Sequence, residues 1–142
     1  LLHYRHRIYY VSGNHEYYYG DARKWFSEFG RHGIEVLNNK IDGHSMNLTE
    51  AMQNCSAKSS RILLSHNPAS VLTFSAEDLE KVDVVLSGHT HAGQYYVLVP
   101  LISWLLPYFH GLYDIGHGKL LGAPMKMLWM SEIWVVTLTK ST

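Results

Sequence analysis

The sequence has a single cysteine, Cys55. That excludes an internal disulfide and any zinc site built from several thiolates. There is no excess of charge: twelve Lys and Arg balance twelve Asp and Glu. Such a chain lacks the basic footprint of a nucleic-acid binder, so no nucleic-acid partner is expected. Internal repeats, low-complexity runs and an acidic tail are missing as well. The most apolar stretch, residues 95–106, is broken by Pro100 and followed by Pro107. It falls short of the roughly 18–20 apolar residues that cross a bilayer. Near the start, Tyr4, Arg5, His6 and Arg7 interrupt any apolar run, so no signal peptide is expected. The chain opens on Leu1 and its first methionine is Met46, so a fragment, a processed chain or an incomplete sequence is expected.

What is present suits a folded domain. Hydrophobic residues make up 46% of the 142 and charged ones 17%, which argues against disorder. A chain this long can bury roughly 68–70% of its unfolded surface. The outlier is histidine, with ten copies. Histidine is the commonest metal ligand and a frequent acid–base group, so function is to be sought among these ten.

Three short apolar runs read as strands: residues 8–11, 61–64 and 82–86. Residues 33–37 and 133–138 read as two more. Asp21 can cap a helix carrying Trp25, Phe26 and Phe29, stopped by Gly30 and Gly33. Further helices are expected after Ser45, over residues 69–74, and after Ser75, which forms a capping box with Asp78. Strands alternating with helices predict an α/β fold or mixed layers.

Each of the three central strands ends in a polar turn holding histidine. These are Gly13-Asn14-His15-Glu16, Ser65-His66-Asn67-Pro68 and Gly88-His89-Thr90-His91. Ligands of α/β sheets bind beyond the carboxyl ends of strands, so three such ends can converge on one point. Imidazole nitrogen and amide oxygen suit zinc, manganese or iron and not calcium. His89 and His91 in one turn can address two neighbouring ions, as in two-metal hydrolytic sites.

The ordered set Gly-Asn-His-Glu, a later lone histidine after a strand, and Gly-His-Thr-His resembles the calcineurin-like metallophosphoesterases. Residues 87–94 resemble the branch of transmembrane proteins with a metallophosphoesterase domain. The resemblance implies a layered mixed β-sheet sandwich with flanking helices. It implies hydrolysis of a phosphate-ester substrate by a metal-bound hydroxide. Asn14, His66 and His89 would bind one metal and His91 the other. His15 would face the substrate, stabilise its oxygens and help protonate the leaving group. Glu16 would support the turn.

The family's Asp-x-His and Gly-Asp blocks, expected upstream of Gly13, have no match here. Residues 1–142 therefore read as one partial domain, its C-terminal portion. Asp42-Gly43-His44 has the letters of the first block but follows no strand. The four implied ligands are neutral, and two dications with no anionic bridge repel by several kcal/mol even at an effective dielectric near 20. One divalent Mn, Zn or Fe ion, weakly held, is expected in place of the family's two. Activity would survive if Asp42, Asp83 or Asp114 reached the histidines. The competing reading is a non-catalytic fragment that acts as a metal-binding or membrane-associated interaction module. The aromatic run from Tyr95 to Tyr113 is either a cap on the core or an exposed surface that meets membrane or an apolar substrate.

Overall fold

The computed structural model describes residues 8–37, 47–56, 58–90, 97 and 99–122. The fold is α/β, with short helices flanking parallel and mixed sheet. Strand β1 (Ile8–Tyr10) leads into a one-turn helix α1 (His15–Tyr18) and then α2 (Ala22–Arg31). β2 (Ile34–Val36) returns parallel to β1, pairing Ile8 with Ile34 and Tyr10 with Val36. Asp21 caps α2 by accepting from Arg23 N–H at 3.0 Å. The helix lays Phe29 and Phe26 on the buried Tyr10 ring, at centroid distances of 4.5 and 6.5 Å. Trp25, expected on the same face, stays half exposed beside Phe29.

α3 (Leu48–Met52) starts at Asn47, whose side chain accepts from Glu50 N–H. It buries Leu48 in the core. β3 (Ile62–Ser65) and β4 (Val84–Ser87) are parallel and in register from Ile62–Val84 to Ser65–Ser87. Between them lie a turn of helix over Pro68–Thr73 and α4 (Ala76–Leu79). The first, a 3-10 helix, is the helix expected over residues 69–74. Asn67 caps it, with Pro68 in its first turn. Ser75 caps α4 by accepting from Asp78 N–H, the expected capping box.

α5 (Val99–Leu105) follows β4, and the chain then forms a hairpin of β5 (Gly111–Ile115) and β6 (Gly118–Gly122). Gly116, at φ 56°, makes the turn. β6 pairs parallel with β4, so the larger sheet runs β3-β4-β6-β5. The sequence reading missed this hairpin. Val82, Val85, Ile115 and Leu120 form the core with Leu48 and Val71. The strand expected at 133–138 lies outside the described residues.

Candidate metal centre

The turns after β1, β3 and β4 meet. His66 Nε2 lies 2.8 Å from Asn14 Oδ1 and 3.0 Å from His89 Nδ1. The two imidazoles meet edge to face, with centroids 4.7 Å apart. His66 O accepts from Gly88 N–H at 3.1 Å, which ties the β4 turn to the β3 turn through the backbone. His89 adopts φ 65°, in the left-handed region. A non-glycine residue there is strained, and such strain concentrates at functional sites.

Gly13 sets how close the first turn comes. A Cβ at Gly13 would lie 2.7 Å from His66 Cε1 and 2.9 Å from its Nδ1. Only the bare glycine lets the histidine ring lie against the backbone there. The turn is held from the other side by Glu16, which is buried and accepts from Gly13 N–H at 2.7 Å. Burial, reinforced by the Glu16 charge, pushes the Tyr10 phenol well above its ordinary range, so it stays neutral. The close approach of Gly13 to His66 was not legible in the sequence. The three-residue spacing from Gly13 to Glu16 was the available signal for the second contact.

The donors suit a cation. One ring nitrogen carries at most one proton. His66 Nε2 faces an amide oxygen and a second imidazole nitrogen at once. It can donate its proton to Asn14 Oδ1 or accept one from His89 Nδ1, and not both. A divalent transition ion accepts all three lone pairs together, and N,N,O donors match manganese, iron or zinc. The set contains two histidines and an asparagine. Among the described residues, no group of three or more His, Cys, Asp or Glu is placed to hold a metal.

Of the other expected positions, the described ones (His15, Asp83 and Asp114) make no contact with this cluster that the structure records. His15 is exposed and packs against Tyr18 and Tyr19, at centroid distances of 5.8 and 6.4 Å. His91, Asp42 and His44 lie outside the described residues. Asp83 precedes β4, at the end opposite His89, with the four residues of the strand, roughly 13 Å of rise, between them. Its Oδ2 accepts from Arg61 N–H at 2.7 Å, and its Oδ1 lies 3.1 Å from His117 Nε2. The Arg61 amide, then His117, holds this carboxyl below the usual range. Asp114 is spent on Lys119. Neither aspartate supplies the carboxylate the sequence reading sought.

A cavity of about 1020 Å³ opens from the cluster. Its wall includes Asn14, His66 and His89 at one end and Arg61 at the other, with Val36, Leu48, Met52, Leu63 and Phe74 between.

No protein-family model and no solved structure matches the chain. Curated proteins do match. One of Caenorhabditis elegans, named for a metallophosphoesterase, is 30% identical over 94% of this chain and 35% of its own length. The transmembrane protein with metallophosphoesterase domain of Danio rerio is 28% identical over 94% of this chain and 39% of its own. An uncharacterized metallophosphoesterase of Helicobacter pylori is 31% identical over 90% and 41%. The chain thus spans well under half of these relatives. The worm alignment runs 170 positions, more than the whole chain. That relative therefore holds residues within the matched span that have no counterpart here.

Proposed function

Because the chain is a homologue of metallophosphoesterases along some nine tenths of its length, we propose that it is a metal-dependent phosphoesterase domain, or the C-terminal part of one. The observation that carries this reading is the meeting of Asn14, His66 and His89 within 3.0 Å at the carboxyl ends of their strands. Asn14 Oδ1, His66 Nε2 and His89 Nδ1 would hold the ion, and His91 is proposed as a ligand of a neighbouring one. A bound divalent ion supplies Lewis acidity and a water acidified to near neutral pH. Glu16 fixes the Gly13 turn so that Asn14 keeps its reach. His15, next to Asn14 and open to solvent, is proposed to contact the phosphoryl oxygens and to give a proton to the leaving alkoxide.

The three converging donors are neutral, so a single ion per chain is the expected load. Calorimetric titration with manganese or zinc tests this, and two tight sites would overturn it. Hydrolysis of an aryl phosphate with manganese tests the chemistry. The wild type should exceed His89→Ala, and equal rates would remove the cluster from the reaction. Substrate identity, within phosphate esters, is left to such assays.

A second reading adds membrane contact. Val97, Trp104 and Leu105 are 91%, 81% and 59% exposed, and residues 95–109 carry no charge. Two relatives are named transmembrane proteins. Among the described residues, no helix is long and apolar enough to cross a membrane. The proposal is that α5 and its flanks rest in the interfacial layer of a bilayer. Trp104 fluorescence should shift to the blue on addition of phosphatidylcholine vesicles. An unchanged spectrum would refute this contact.

A further inference from the structure

His89 owes its place in the cluster to a strained turn. Its φ is 65°, and Thr90 N–H donates to Gly88 O at 2.7 Å. A hydrogen bond that closes over three residues, with positive φ at the middle one, makes the rare and strained form of the γ-turn. A residue with a full side chain stays there only when its surroundings hold it. On one side the turn is tied to the end of β3, where His66 O accepts from Gly88 N–H. On the other side the tie is a side chain. Thr90 Oγ1 donates to Phe109 O at 2.7 Å.

Threonine hydroxyls commonly bond to their own stretch of backbone. This one reaches a carbonyl 19 residues away, and the sheet register explains how. Ser87, the last residue of β4, pairs with Gly122 of β6. Gly122 pairs in turn with Gly111, the first residue of β5. The three stand in one row across the sheet. His89 lies two residues past that row on one strand, and Phe109 lies two residues before it on another. β6 separates β4 from β5, a distance of two strand spacings or roughly 9–10 Å. The two turns close that distance beyond the end of the sheet.

The acceptor is built in from both sides. Tyr108, just before it, has φ 57° and is the second left-handed non-glycine residue among those described. The Tyr108 ring meets Tyr113 edge to face, with centroids 5.1 Å apart. Tyr113 OH donates to His110 O at 2.8 Å and accepts from His110 N–H at 3.2 Å. A Cβ on Gly122 would come within 3.3 Å of Tyr108 O, so the end of β6 lies close against the same segment. The two strained residues thus adjoin the two ends of a single hydrogen bond.

We propose that Thr90 is a positioning residue of the metal centre. Its hydroxyl, anchored on the Phe109 carbonyl, holds the His89 turn in the strained form that brings Nδ1 to His66 Nε2. Without the anchor, His89 relaxes to negative φ and its ring leaves His66. The β5–β6 hairpin thereby gains a task beyond widening the sheet: it carries the fixed point from which a ligand is aimed. The purpose of this device rests on the metal-centre reading, while its geometry belongs to the chain by itself.

The test compares the 142-residue chain with two variants. Thr90→Val keeps the shape of the side chain and removes the donor. Thr90→Ser keeps the donor. Nuclear magnetic resonance without metal reads two contacts of the His66 ring, one with the His89 ring and one with the α protons of Gly13. Wild type and Thr90→Ser should show both. Thr90→Val should lose the first and keep the second. Calorimetric titration with zinc should show affinity about 10–100-fold weaker in Thr90→Val, the loss typical of groups that orient a metal ligand, and restored in Thr90→Ser. The proposal is overturned if the wild type lacks the ring contact, or if Thr90→Val keeps either that contact or the zinc affinity. It is overturned as well if Thr90→Ser fails as Thr90→Val does, or if both His66 contacts vanish together, which makes Thr90 a residue of the fold at large. A wild type that shows both contacts and binds no zinc would sink the metal-centre reading, and the ring contacts then decide the role of Thr90 by themselves.

Discussion

Gly13→Ala is a small substitution with a large expected effect. The added methyl would sit 2.7 Å from His66 Cε1 and about as close to both ring nitrogens, which are 2.9 and 3.0 Å away. Normal carbon contacts lie near 3.5–4.0 Å. The ring must retreat by most of an ångström, or the turn must back away from it. The ring is not free to move alone. Its Nε2 holds Asn14 Oδ1 at 2.8 Å and faces His89 Nδ1 at 3.0 Å. The Gly13 turn is held in its turn by the Glu16 carboxylate. Overpacking of this kind costs about 1–3 kcal/mol, and each hydrogen bond broken adds about 0.5–1.5 kcal/mol. The melting temperature should fall by several degrees. The sharper readout is the metal. Ligand distances are tolerated within about ±0.2 Å, so a displaced ring should weaken manganese or zinc binding at least ten-fold in calorimetric titration. Gly30→Ala is the control. It lies in α2, and a Cβ there meets nothing within 4 Å. If Gly13→Ala matched the wild type in both melting and metal affinity, the packing of the turn against His66 would play no part in shaping the site.

Gly30→Ala itself should raise stability by about 0.4–1 kcal/mol, since alanine fits this position in the last turn of α2 and narrows the unfolded chain; a loss in chemical denaturation would mean that the helix end needs glycine. Ser75→Ala removes the hydroxyl that accepts from Asp78 N–H, and should cost about 1 kcal/mol by the same measurement, an unchanged midpoint counting against the capping role. Asp83 gives a pH signature. Its folded pKa is depressed by the Arg61 amide and His117. The stability it contributes is therefore present above the unfolded value near 3.9 and fades as pH falls through the folded value. Wild type should exceed Asp83→Asn in urea midpoint at neutral pH, and the lead should shrink below about pH 4. A constant lead would deny the carboxylate its role. Leu120→Ala, fully buried in β6, should cost about 2–5 kcal/mol, and a loss under 1 kcal/mol would place the core elsewhere.

What was legible in the sequence had local causes. Asp21 and Ser75 cap their helices as their spacing indicates, because an N-cap needs only a short side chain and the next two or three amides. The strands before His66 and His89 show as β-branched and leucine runs, and the polar turns after them were visible in the same way. The hairpin of β5 and β6 escaped notice since Gly-Leu-Tyr-Asp-Ile and Gly-Lys-Leu-Leu-Gly alternate weakly, and their identity as strands depends on β4 lying between β3 and β6. Helix α5 was readable as apolar but not as exposed. Nothing in Val-Pro-Leu-Ile-Ser-Trp-Leu tells burial from display, which depends on what the rest of the fold leaves uncovered.

The meeting of Asn14, His66 and His89 is a different kind of legibility. Positions 52 and 23 residues apart cannot be placed together by any local rule. They were joined by order and by likeness to a family. The coordinates add what that likeness could not supply: the bare Cα of Gly13 against an imidazole, and a left-handed His89 that turns its ring toward His66. A left-handed residue and a side-chain-free contact at the same point are costs that a fold does not carry without compensation. At that point Asn14 Oδ1 and His89 Nδ1 both face one ring nitrogen of His66, which cannot donate to the first and accept from the second at once. A cation removes that mismatch. The binding of one, before any turnover is measured, is the observation on which the functional reading turns.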